Sequence, residues 1–69
     1  MILSQLENVL DLYLERNGKM PNHLIISFED YYLLCKDNSI QDSKNPEWNG
    51  VKIIRTNDLS TGYWYFSSV

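Results

Sequence analysis

The sequence predicts an α+β fold: one small domain in which an N-terminal helix packs on a short mixed or antiparallel sheet, joined by a second short helix. Three observations carry this reading. Apolar residues recur at helical spacing near the start of the chain, and short runs rich in β-branched or aromatic residues follow at 24–27, 51–56 and 63–67. The length of 69 residues allows a single domain, residues 1–69, with no repeat and no linker.

The first helix is expected at about 4–17. Ser4-Gln5-Leu6-Glu7 has the form of a capping box, and Leu6, Val9, Leu10, Tyr13 and Leu14 then share one side. Glu7, Asp11 and Glu15 make an acidic ridge at i, i+4 on the other side. Gly18 supplies a left-handed cap, Arg16 suits the carboxyl end of the helix dipole, and Pro21 prevents continuation. Leu24-Ile25-Ile26 is too short for a helix and reads as a strand covered on both faces. Ser27 then caps a helix over 28–36, with Glu29 and Asp30 in its first turn and Phe28, Tyr31, Tyr32 and Cys35 on its stripe, Leu34 at the flank. Residues 37–50 are polar and read as a surface loop, with Trp48 as a lid over the core or an exposed contact. Val51–Thr56 and Tyr63–Phe66 are strands on either side of turn residues 57–62, expected to pair as an antiparallel hairpin.

Composition excludes several classes. Apolar residues at 43% and aromatics at 13% are too abundant for a disordered chain. Six basic against nine acidic residues, a net charge of −3, offer no positive footprint for nucleic acid or an anionic membrane. A single cysteine forms no internal disulfide, and no apolar run is long enough for a membrane span. The opening Met1-Ile2-Leu3-Ser4 lacks the basic and apolar regions of a signal peptide, so a soluble intracellular protein is expected. Folding should leave a surface of about 4,500 Å², burying roughly 60% of the unfolded chain's area. With so small a core, any second chain covering apolar surface would matter.

The order of these pieces resembles the peripheral domain of the major capsid proteins of tailed bacteriophages and their encapsulin relatives. In that family a helix ends in a polar or Asn-Gly turn and a proline opens a strand, as with Asn17, Gly18 and Pro21 before Leu24-Ile25-Ile26. A serine, tyrosine and leucine of a short helix follow, here Ser27, Tyr31 and Leu34. After a variable loop come a glycine-led strand, a residue like Thr56 or Asn57, a turn ending in glycine and a last strand. These match Gly50, Val51, Ile53 and Ile54, then Leu59 and Gly62, then Tyr63 to Phe66. The extended arm, long hairpin loop and axial domain with which that family builds a lattice have no counterpart in these residues. The resemblance therefore implies a phage or prophage accessory protein, cytoplasmic in the host cell or virion-associated, rather than a capsid tile.

No catalytic constellation stands out, and no enzyme activity, cofactor, metal or small-molecule substrate is expected. His23 is the only histidine and reads as a strand-entry residue; Cys35 reads as a buried, inert thiol rather than a nucleophile paired with His23. The three glycines are isolated and form no phosphate cradle. Function is expected on the surface. The ridge of Glu7, Asp11 and Glu15 is either an ordinary solvated face or a contact for a charge-complementary partner. Alternation sets Tyr63 and Tyr65 against Trp64 and Phe66. Tyr63, Tyr65 and Trp48 thus form either a binding or self-association surface or a second core layer. Two roles follow. The first is a non-enzymatic phage protein acting by self-association, as a homo-oligomer or structural accessory. The alternative is a small inhibitor or adaptor that binds a host protein through the acidic helix face and the aromatic strand.

Overall fold

A computed structural model describes residues 2–37 and 39–68. It contains α1 (Ile2–Asn17), β1 (His23–Ser27), α2 (Phe28–Lys36), β2 (Glu47–Trp48), β3 (Val51–Thr56) and β4 (Tyr65–Ser67). The strands form one mixed sheet in the order β2-β3-β1-β4, and both helices lie on one side of it. The α+β class and the N-terminal helix are as the sequence predicts. The accessible surface is 4791 Å², close to the scaling expectation.

Helix α1 begins before Ser4, which lies exposed inside the helix, so the expected capping box does not form. The cause is Leu3, which packs against the core together with Leu6 and Leu10 and extends the apolar stripe toward the N-terminus. The other end matches expectation. Gly18 has φ 72° and donates its N–H to the Leu14 carbonyl at 2.8 Å, the left-handed cap.

Strand β1 sits at the centre of the sheet. It pairs in parallel with β3 (Leu24 beside Ile53, Ile25 beside Ile54) and antiparallel with β4 (Leu24 beside Phe66, Ile25 beside Tyr65). The expected hairpin between 51–56 and 63–66 is therefore absent. The chain leaving β3 crosses the end of β1 and descends on its far edge. The reason lies in Asp30, a buried residue of the first turn of α2. Its carboxylate accepts the Gly62 N–H at 2.7 Å and the Ser27 hydroxyl at 3.1 Å, while Ser27 Oγ accepts the Asp30 N–H at 3.1 Å. Glu29 holds the hydroxyl of Thr61 next door. The 57–62 turn is thus fastened over the N-terminus of α2, where β1 ends, rather than folded back along β3. The last strand is also shorter than expected, since Tyr63 and Trp64 belong to the connection.

Residues 37–50 are not all loop. Asn49 and Gly50 both have positive φ, 51° and 81°, the signature of a two-residue type I′ turn, and set Trp48 opposite Val51. Trp48 consequently lies in the sheet, only 5% exposed, with its ring stacked on Phe66 at 6.1 Å between centroids. Tyr13 and Trp64 flank the same Phe66 ring at 6.3 and 6.2 Å, joining α1, β2 and β4 in one aromatic cluster. In α2 the buried positions are Asp30, Tyr31 and Leu34; Cys35 is half-buried against the core. Tyr32, also expected on the stripe, is 63% exposed, and Phe28 is 47% exposed. Phe28 directly follows the β1 residue Ser27, at the end of the sheet where the helix layer does not reach it.

Candidate functional site

The period of two along β1, β3 and β4 divides the sheet into unlike faces. Leu24, Ile26, Val51, Ile53 and Phe66 point toward the helices and are buried. The opposite residues, Ile25, Ile54 and Tyr65, form a row across three adjacent strands by register. Neither helix covers that row: Ile25 is half-buried, while Ile54 and Tyr65 are 45% and 52% exposed. The expectation that 24–26 is covered on both faces thus fails at Ile25. A second row, Lys52, His23 and Ser67, runs beside the first, with Glu47 opposite Lys52 on β2.

Because β2 is only two residues long, the second half of β3 has no strand on its outer side. A cleft of about 610 Å³ opens there, lined by His23, Phe28, Lys44, Lys52, Ile54 and Arg55 among others. Its lining mixes apolar side chains such as Phe28 and Ile54 with Lys44 and Lys52, and Glu47 is the one carboxylate among the lining residues. Arg55 is engaged on the helix side, its guanidinium 4.9 Å from the Tyr31 ring centroid and 3.9 Å from Asp42 Oδ1. Lys44 and Lys52 are exposed.

The most perturbed titratable group is structural. Burial, together with the hydrogen bond that the Tyr31 hydroxyl donates to Asp42 Oδ1 at 2.6 Å, pushes the phenol far above its ordinary pKa. The Tyr31 hydroxyl is thereby a donor that ties residue 42 to α2. His23 faces the uncovered side of the sheet, and Cys35 packs with the core on the helix side. The sheet therefore separates the one pair that could have been considered for nucleophilic chemistry. Among the described residues no group of three or more His, Cys, Asp or Glu side chains is placed to hold a metal ion, and no helix is long and apolar enough to cross a membrane.

The sequence-predicted surface residues distribute as follows. Tyr63 (71% exposed) and Tyr65 are on the surface and Phe66 is inside, so of the two alternatives left open for the tyrosines they are not a second core layer. Trp48 is a core residue and cannot serve as a contact. Glu7, Asp11 and Glu15 are all exposed, but they lie on the helix layer, on the other side of the sheet from Tyr65. The acidic ridge and the aromatic strand are therefore two surfaces rather than one. Sequence reasoning missed Ile25, Ile54, Phe28, Lys44 and Lys52. The signal for part of this was present: in Val51-Lys52-Ile53-Ile54, strict alternation places Ile54 on the same side as Lys52, an apolar residue at an outward position.

No protein-family model, curated protein or solved structure matches the chain at a significant level.

Proposed function

We propose that this chain is a non-enzymatic accessory protein of phage or prophage type that works by self-association, and that the uncovered sheet face is its contact surface. The observation carrying the reading is the row Ile54–Ile25–Tyr65, three large apolar side chains aligned across adjacent strands on a face that neither helix covers. An exposed apolar row on a domain with so small a core is the pattern of a surface meant to be covered. The phage assignment and the host-cell or virion setting rest on the resemblance to capsid peripheral domains. The inhibitor or adaptor reading is less well supported, because one compact partner cannot reach the acidic ridge and Tyr65 together when they face opposite ways.

Tyr65 provides the test. Its ring is half-exposed and outside the aromatic cluster, so Tyr65→Ala should leave the urea midpoint of the monomer almost unchanged. It should weaken association by more than about 1 kcal/mol, as loss of a central aromatic anchor does. Sedimentation equilibrium of wild type and variant, beside a urea melt of each, reads both effects. A wild type that remains monomeric at millimolar concentration would end the proposal.

A further inference from the structure

We infer that the uncovered sheet face of one copy receives the outer side of α1 from the next copy, so that the chain assembles head to tail. This rests on the self-association reading and specifies its geometry. Charge is the first reason. The molecule carries a net −3, yet three of its six basic residues, Lys44, Lys52 and Arg55, line the cleft. Even with Glu47 opposite Lys52 and Asp42 beside Arg55, the cleft stays positive on an anionic molecule. On α1, Glu7, Asp11 and Glu15 stand at successive i, i+4 positions, where like charges repel along the helix. Arg16 is the only cation in that helix, one turn beyond Leu12 and off the acidic ridge. A cationic surface facing this ridge relieves the repulsion.

The apolar parts agree. On α1 the acidic ridge is bordered by Leu12, which is 51% exposed. On the sheet, the cationic cleft is bordered by Ile25 and Tyr65. Each surface thus sets a charged strip beside an exposed apolar group, with opposite charge signs. A two-fold contact between uncovered faces fits less well. In such an isologous contact the same patch meets itself, which would bring Lys44 and Lys52 toward their own copies. A head-to-tail contact leaves a free face at each end, so it continues into rings or filaments.

Two variants of the full chain test this by sedimentation velocity at low salt. Glu7→Lys/Asp11→Lys/Glu15→Lys removes the acidic ridge, and Lys44→Glu/Lys52→Glu removes the cationic cleft. Every substituted side chain is exposed. Wild type is expected to form species larger than a dimer, which shrink as salt screens the contact. Each variant alone should be monomeric, and an equimolar mixture should again form species larger than a dimer, because the wild-type ridge of one variant meets the wild-type cleft of the other and the two reversed surfaces are complementary as well. An α1 variant that still associates by itself would overturn the head-to-tail geometry and leave self-association standing. A mixture that stays monomeric would also overturn it. A wild type that never associates would overturn the self-association reading itself. Should charge reversal unfold α1, the neutral variant Glu7→Gln/Asp11→Asn/Glu15→Gln replaces it, with weakened, less salt-sensitive association as the expected result and unchanged association as the contrary one.

Discussion

Phe66→Ala is expected to remove most of the stability of the domain. Phe66 is the ring on which Tyr13, Trp48 and Trp64 converge, so it joins α1, β2 and β4 at a single point. Truncating a buried phenylalanine costs about 3–5 kcal/mol, and a domain of this size has only roughly 3–10 kcal/mol in total. A urea melt followed by tryptophan fluorescence should show a midpoint close to zero denaturant, while Phe66→Leu should recover part of the loss. Trp48 and Trp64 flank the lost ring, so the native emission of the variant should shift as well. A loss below about 1 kcal/mol would mean that the aromatic cluster does not bind the two layers together.

Asp30→Ala ranks second. The carboxylate is 2% exposed and accepts from both Gly62 N–H and Ser27 Oγ. Alanine would leave both donors without their acceptor, and such losses cost about 2–4 kcal/mol when the acceptor is charged. At about 4–8 °C per kcal/mol for a domain of this size, the melting temperature should fall by roughly 10–25 °C. Asp30→Asn keeps one acceptor oxygen and should lose about half as much. Hydrogen exchange adds a local readout, because the Gly62 amide should lose its protection before the amides of β1 do. A variant that melts like wild type, with Gly62 still protected, would show that the turn over α2 is held by something else.

The elements were readable in the sequence because each has a local cause. Leu6, Leu10 and Gly18 mark α1, Ser27 and the i, i+3 pair Tyr31 and Leu34 mark α2, and the β-branched runs mark β1 and β3. The order of the strands was not readable, because a contact between residues 30 and 62 decides it and nothing near either residue signals the other. Trp48 was misplaced for a different reason. Its polar neighbours suggest a loop, whereas Asn49-Gly50 between Trp48 and Val51 is a hairpin signal strong enough to have placed it in a strand. Phe28 shows the limit of a helical stripe in so short a helix: its angular position is compatible with burial, but no element extends far enough to cover it. The candidate surface was half legible. Alternation separates Tyr65 from Phe66 but does not decide which face is covered, and the uncovered row appears only once Ile25, Ile54 and Tyr65 are known to be neighbours, which depends on the strand order.

We propose that the sheet face carrying Ile54, Ile25 and Tyr65 is covered by another copy of the chain. A dilution series of amide chemical shifts on uniformly labelled protein tests it most directly, since it reports association and location together. The predicted result is a set of concentration-dependent shifts at residues 25, 52, 54 and 65 and along Glu7, Asp11 and Glu15, with the amides of Leu34 and Asp37 unmoved. Shifts that stay constant from micromolar to millimolar protein, or that gather on the exposed side of α2 at Tyr32 and Leu33, would contradict it.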